Sequence, residues 1–357
     1  MTPIDAVLVA YRSEAVIAAS VEAAAALGGR VVVVDHGDGA SARRARDLGA
    51  VVQEDASNPG FGTGQNRGVA LTSTEFVLLC NPDALIDPDA VAAGAAFLRE
   101  HPEVAAVQGA IVNRLTGRLE RSQGVELGPV HLLGRAVGAG RLAGSPLGRA
   151  VGRRCAALRD HVERARSAPT EVESLAATTL LVRRRAFDEV GGFDESHFLY
   201  GEDLDLCRRL RRAGWALVAL PEAWAVHDSG GSADSSWLRE YHWWRGTMRF
   251  ATRWWGAGAW ALAMASATIA SARMAFHRPR MIWSVVAGVV IAPVAERLRR
   301  RAAFASGPPA RSPGMASPSR TSPAAGGRRD PSTPAAGPRR APRRDGRSTA
   351  TSSGRPA

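Results

Sequence analysis

Four consecutive valines, Val31–Val34, constrain this chain more than any other feature. A strand that is apolar at every position has no face to give to water, so it belongs inside a parallel sheet covered on both sides. The neighbouring sequence supplies that cover. Ala6–Ala10 is a short apolar run, Ala15–Leu27 is Ala-rich and reads as a helix closed by Gly28-Gly29, Ser41–Leu48 reads as a second helix, and Val51-Val52 starts another short strand. Gln65–Leu71 reads as a helix behind a glycine-rich loop, Glu75–Cys80 as a strand, and Asp89–Glu100 as a helix with Pro88 beside its start. Strands alternating with helices predict an α/β fold built on a mostly parallel sheet. Ligands on such sheets bind beyond the carboxyl ends of the strands, where the unusual residues of this chain fall.

The 357 residues predict two domains, or one large domain with appendages. Residues 111–170 lack a firm period and suit mobile connections around an acceptor. Residues 172–235 regain pattern: apolar Leu175–Val182, then Phe187 to Gly192, an acidic helix, and Trp215–Leu220. The stretch from Trp254 to Ala272 is uncharged, and Met281–Ala295 is a shorter uncharged run. Tryptophans at 243, 244, 254, 255, 260 and 283, flanked by arginines, predict helices at a membrane surface; the alternative is a helix pair packed on the body. Residues 303–357 are rich in Pro, Ser, Gly, Ala and Arg and predict a disordered tail whose arginines suit anionic lipid. The expected divisions are 1–110, 111–235, 236–302 and 303–357.

Charge and cysteine usage exclude several classes. Every one of the 46 basic residues is arginine, which removes a P-loop lysine, a Schiff base and a lysine general base. The net charge of +12 resides in residues 297–357, with 14 Arg against 2 Asp; the rest balances at 32 Arg and 32 acids. A neutral body with a basic tail gives no signature of a specific nucleic-acid-binding fold. Cys80, Cys155 and Cys207 lack C-x-x-C spacing, which argues against zinc and disulfide frameworks. Acids at Asp5 and Glu14, with no long apolar run, argue against a signal peptide, and a cytoplasmic setting is expected.

Four constellations carry chemistry. Tyr11-Arg12-Ser13-Glu14 follows the first strand and Asp35 ends the second, placing a ring and carboxylates for a base and ribose; Asp35 reads equally as a turn or helix cap. Asn58-Pro59-Gly60-Phe61-Gly62-Thr63-Gly64-Gln65-Asn66-Arg67-Gly68 lets backbone approach a ligand and offers the next helix N-terminus to phosphate, or is a plain flexible loop. Asn81-Pro82-Asp83 ends a strand with two oxygen-bearing side chains suited to a hard divalent ion, or forms an ordinary turn. Gly201-Glu202-Asp203-Leu204-Asp205 opens a helix in which Leu204, Cys207 and Leu210 recur at helical spacing. Capping explains one of its three acids, and an ionised carboxylate there can take a proton from a hydroxyl. His227 ends a later strand-like stretch, as a metal ligand, a phosphate contact or a structural histidine.

The stretches NPGFGTGQNRGVA, LLCNPDA and LLVRRRAFDEVGGFDESHFLYGEDLDLCRRLRRAGW, in that order, resemble the family 2 inverting glycosyltransferases of the GT-A fold, within them the bacterial rhamnosyltransferase-like branch. The resemblance covers roughly residues 4–235. It implies a single mixed, mostly parallel sheet flanked by helices. It implies that Tyr11, Glu14, Asp35, Asn66 and Asn81 contact the nucleotide, that Asp83 and His227 hold Mg2+ or Mn2+, and that Asp203 is the general base with Glu202 and Asp205 orienting it or the acceptor. It further implies a dTDP- or UDP-sugar donor, rhamnose foremost, and a cell-envelope glycan or polyprenyl-linked acceptor at the inner face of the plasma membrane. Alternatives are a sugar nucleotidylyltransferase and a non-catalytic scaffold that binds polyanions through its tail.

Overall fold

The computed structural model describes residues 2–137, 167–227 and 236–277, except positions 121, 125 and 127, together with isolated positions 283, 286 and 287. The chain divides into two units, Met1–Gly307 and Pro308–Ala357. The expected disordered tail, 303–357, and Cys155 lie outside the described residues.

The first unit is organised by one nine-stranded sheet. Its strands are β1 (Ile4–Ala10), β2 (Gly28–Asp35), β3 (Val51–Glu54), β4 (Phe76–Cys80), β5 (Ala84–Ile86), β6 (Val104–Asn113), β8 (Thr170–Glu171), β10 (Thr179–Arg183) and β11 (Ala216–His227). β7 (Gln123–Gly124) and β9 (Ser174–Leu175) form a separate antiparallel pair. The order is β3-β2-β1-β4-β10-β6-β11-β5, with β8 on β11. β3, β2, β1 and β4 run parallel, β10 is antiparallel to both its neighbours, and β6 and β11 resume the first direction. The sheet is therefore mixed and mostly parallel, as expected.

Helices α1 (Ile17–Ala25), α2 (Ala40–Asp47), α3 (Phe61–Ala70), α4 (Pro88–Glu100), α5 (Pro129–Val137), α6 (Arg184–Glu189) and α7 (Glu202–Arg212) precede two longer ones, α8 (Ser236–Trp254) and α9 (Ala257–His277). Alternation along β1 assigns its faces. Ile4, Ala6, Leu8 and Ala10 pack with Ile17 and Val21 of α1 and Leu98 of α4, while Val7 packs on the other face with Val69 of α3 and Leu206 and Leu210 of α7. The four valines of β2 are buried and divide between the two layers, as a strand without a polar face requires. In α7 the buried apolar residues are Leu206, Cys207 and Leu210; Leu204 is only half-buried, so the expected stripe is displaced by two residues at its start.

Two expectations are corrected. The glycine-rich segment is not a loop: α3 begins at Phe61 and runs through it. Its glycines give close packing, because a Cβ on Gly68 would strike Val7 and one on Gly64 would lie 2.6 Å from His36 Nε2. The Phe61 N–H is donated to the Phe198 carbonyl at 2.9 Å, so that donor is not offered to phosphate. The C-terminal tryptophans divide between interior and surface rather than sharing one exposed face. Trp244 is buried with Met248, Ala251, Ala263, Ala267 and Leu132 of α5, and Trp243 and Trp255 pack against that cluster. Trp260 and Trp283 are exposed. No described helix is long and apolar enough to cross a membrane, and the packed-helix alternative describes α8 and α9.

Candidate active site

Sheet register builds the first half of the site. His227, the last residue of β11, lies opposite Ala84 of β5 and Asn113 of β6. Asn81–Ala84 forms a turn closed by Ala84 N–H donating to the Asn81 carbonyl at 3.2 Å. Ser20 of α1 anchors the same turn, its hydroxyl donating to the Pro82 carbonyl at 2.8 Å. This brings Asp83, 7 % exposed, to His227, with Oδ1 3.2 Å from Nε2. On the other side of the ring, His227 Nδ1 meets Glu120 Oε2 at 3.0 Å. Burial opposes charge on His227, but the hydrogen bonds and negative charges of Asp83 and Glu120 outweigh it and push its pKa up to about 8. A carboxylate and an imidazole whose far nitrogen is held by a second carboxylate make a donor set that fits a divalent cation.

The second half is the first turn of α7. Gly201 opens it at φ +86°, and Tyr200 before it is also left-handed at φ 66°. Glu202 is buried, with Oε2 lacking any hydrogen-bond partner. Its pKa is pushed up to about 8, first by burial and then by the charge of Asp203. Asp203 is half-buried; desolvation raises its pKa against the hydrogen bonds it accepts from backbone N–H groups, Leu204 and Ala177 among them. The two acids form a closely spaced pair that resists full ionisation.

One turn, between β9 and β10, joins the halves. Ala177 N–H reaches the Asp203 carboxylate, and the carbonyl of the next residue, Thr178, accepts from Asn81 N–H at 2.8 Å. Asp83 follows two residues later. This path places Asp83 and the first turn of α7 at the same end of the sheet, where β4 finishes and β10 begins.

The remaining expected residues separate. Tyr11 and Glu14 are exposed beyond β1, with the Arg12 guanidinium 5.3 Å from the Tyr11 ring centre. Asp35 is 1 % exposed, and its two oxygens accept from Gly37 N–H at 2.9 Å and Ala42 N–H at 3.1 Å. These bonds close the turn after β2 and hold the first turn of α2, which matches the alternative of a turn or helix cap for Asp35. Asn66 is directed away from a nucleotide role: its amide donates to the Phe193 carbonyl at 3.0 Å and accepts from Phe193 N–H at 2.8 Å, bracing α3 against the loop before α7. Asp205 is fully buried and neutralised rather than facing an acceptor. It accepts from Arg209 Nε at 2.7 Å and Trp254 Nε1 at 2.8 Å, with Arg253 at 3.2 Å.

Asp205 also belongs to a trio with Asp194 and His197 whose candidate ligand atoms lie within 4.8 Å of one another. Arg253 pairs with both carboxylates, Ser196 donates to Asp194, and burial lowers the pKa of His197. These partners already satisfy the acids, and the trio fits a structural bracket between α7 and α8 better than a cation site.

The family described as "Glycosyltransferase like family 2" matches residues 2–257. The chain belongs to glycosyltransferase family 2. Among curated proteins it is similar to N-acetylglucosaminyl-diphospho-decaprenol L-rhamnosyltransferase of Mycobacterium tuberculosis, 39% identical over 107 residues, which are 26% of this chain and 35% of the relative. It is also similar to rhamnosyltransferase WbbL of Escherichia coli, 36% identical over 85 residues, 24% of this chain and 32% of the relative. The matches thus span about a third of each curated relative's length. Among solved structures, a mannosyltransferase from Pyrobaculum calidifontis in complex with GDP-Man and Mn2+ is 14% identical with a TM-score of 0.47, covering 81% of this chain and 86% of that one.

In this family 2 chain, sequence reasoning missed Glu120. It reaches His227 because the chain turns back after β6, where Asn113 N–H donates to the Arg118 carbonyl at 2.8 Å and Gly117 adopts φ +63°. The only local signal is the Thr116-Gly117 turn, which does not announce a partner 107 residues away.

Proposed function

We propose that this chain is an inverting glycosyltransferase that moves a sugar from a nucleotide-diphosphate donor to a hydroxyl of a cell-envelope glycan or polyprenyl-linked acceptor. The observation that carries the reading is the Asp203–Ala177–Thr178–Asn81 path, which sets a base-competent carboxylate and the Asp83–His227 pair at the same end of the sheet, where β4 finishes and β10 begins. Asp83 and His227 would hold Mg2+ or Mn2+, which when bound offsets the charge of the departing diphosphate. Glu120 orients His227 and keeps its Nε2 toward Asp83. Asn81 and Asp83 border the diphosphate, and Tyr11 and Glu14 border the nucleoside. Asp203 accepts the proton of the acceptor hydroxyl as that oxygen attacks the anomeric carbon from the face opposite the leaving group, so the centre inverts without an enzyme-bound sugar. Glu202, held largely protonated near neutral pH, limits negative charge beside the base.

Family membership and two partial relatives named as rhamnosyltransferases favour dTDP-rhamnose as donor. The diphospho-decaprenol in the name of one of them favours a lipid-linked acceptor and a site of action at the inner face of the plasma membrane. A donor panel tests this. Purified protein with Mn2+ or Mg2+ is given dTDP-rhamnose or UDP-sugars and a diphospho-polyprenyl acceptor, and nucleotide release is followed. Metal-dependent release from one donor is expected; no release across the panel contradicts the reading.

A further inference from the structure

The C-terminal half of α7 borders a cavity of about 340 Å³ lined by Arg208, Arg211 and Arg212 of the helix and by Glu126 and Glu173 from beside β7 and β9. Arg208 pairs with Glu126 at 2.6 Å, and Arg211 reaches Glu126 at 3.3 Å and Glu173 at 3.6 Å. Three guanidiniums against two carboxylates leave positive charge in excess even with both acids ionised. Burial raises the pKa of Glu126, against the pull of Arg208 and Arg211 and with added repulsion from Glu173, which weakens that offset further. Arg208 and Arg212 each lie 5.0 Å from the centre of the Trp254 ring. A guanidinium stacked on a ring keeps its in-plane N–H donors for an anion, and its plane is fixed beforehand.

The cavity is connected to the site already described. Residues 173–177 run beside α7. The Glu173 carbonyl accepts from Arg211 at 3.4 Å, Leu175 N–H meets Cys207 Sγ at 3.4 Å, and Ala177 N–H reaches Asp203. Arg208 to Arg212 lie five to nine residues beyond Asp203, about 7–14 Å of helical rise. The cavity and Asp203 thus border the same helix and the same neighbouring segment.

We propose that this cavity is a phosphate-binding subsite that receives the phosphate or diphosphate group of a lipid-borne ligand. The assignment rests on the glycosyl-transfer reading for its connection to Asp203, and its chemistry is shared by two sources, a lipid-linked acceptor and a membrane headgroup.

The test is calorimetric titration of the full chain with inorganic pyrophosphate in EDTA, which removes divalent ions from the Asp83–His227 pair. Replacing Arg211→Gln and Arg212→Gln together is expected to weaken pyrophosphate binding by about tenfold or more, the scale of lost hydrogen bonds to a charged group. Mn2+-dependent UDP binding by the same variant stays at the wild-type value and shows that the protein is folded. Glu173→Gln removes a competing carboxylate and is expected to tighten pyrophosphate binding, a gain that a damaged fold does not produce. Unchanged binding in the double variant, or weaker binding in Glu173→Gln, overturns the proposal. Sedimentation with phosphatidylglycerol or phosphatidylcholine vesicles separates the sources. Parallel loss of phosphatidylglycerol binding in the double variant supports a headgroup, and retained vesicle binding with lost pyrophosphate binding supports the acceptor. Arginine-dependent pyrophosphate binding in a protein that turns over no donor sustains the subsite while removing the transferase reading.

Discussion

In the proposed reaction, Glu120 and Glu202 are the two residues on which the roles of the others depend. Glu120 fixes the ring of His227 through Nδ1. Glu120→Ala is expected to weaken Mn2+ binding by about 10–100-fold, read by the electron paramagnetic resonance of bound Mn2+; Glu120→Gln, which keeps an acceptor oxygen, should lose less. Equal affinity in all three proteins would take Glu120 out of the site. Burial, and then the charge of Asp203, holds the pKa of Glu202 near 8, and burial raises that of Asp203. Turnover should therefore rise with pH along an acid limb displaced above the ordinary carboxylate range. Glu202→Gln should leave that limb nearly in place, because burial rather than Glu202 charge raises the pKa of Asp203; a pH–rate profile decides it, and a limb moved well below its wild-type position would contradict this. Asp83, His227 and the Glu-Asp pair were legible in the sequence because each stands at a strand end or in a helix's first turn, positions that a period-2 or period-3.6 pattern marks. Glu120 was not, because hydrogen bonding to a distant histidine leaves no periodic trace.

At the scale of elements, the glycines were read correctly as sites of close approach but assigned the wrong neighbour. In α3 they bring helix to sheet, with Gly68 against Val7 and Gly62 3.0 Å from Phe193 once a Cβ is placed on it. Composition cannot separate backbone that approaches phosphate from backbone that approaches protein. The same lesson applies to the tryptophans of α8, which an arginine-rich context assigned to a membrane surface and which instead pack on Leu132 and stack with Arg208 and Arg212. Gly246 of α8 makes this contact sharpest, because a Cβ there would strike the Tyr200 carbonyl just before the acidic turn. Gly246→Ala is expected to cost about 1–3 kcal/mol, the usual range for overpacking, in urea unfolding monitored by circular dichroism. It should also lower turnover by shifting α7. A stable variant with unchanged turnover would show that α8 does not position the site.

At the scale of the molecule, the parallel block and the order of layers were readable from Val31–Val34 and the alternation around it. The antiparallel insertion of β10 between β4 and β6 was not, since pairing partners far apart in sequence carry no local signal. Stability should respond to pH in a defined direction. Glu202 titrates from 4.5 when unfolded to about 8 when folded, and His227 from 6.5 to about 8. Both folded values are raised, so the folded state binds more protons and both contributions are lost as pH rises toward 8. The melting temperature of metal-free protein should fall between pH 6 and pH 8.5, with a shallower fall in Glu202→Gln; a rise across that window contradicts both assignments. Removing the chain after Arg301 should leave Mn2+-dependent nucleotide binding intact, since the donor-side residues lie in the first unit. Loss of nucleotide binding on truncation would favour the tail-driven polyanion binder.

The most direct measurement compares nucleotide binding and sugar transfer in Asp203→Asn. Deleting the proton acceptor while leaving Asp83, His227 and Glu120 in place should preserve Mn2+-dependent UDP or dTDP binding and lower the transfer rate by about 10²–10⁴-fold. Wild-type transfer by Asp203→Asn would contradict a base at that position, and nucleotide binding indifferent to Mn2+ would contradict the cation clamp that faces it.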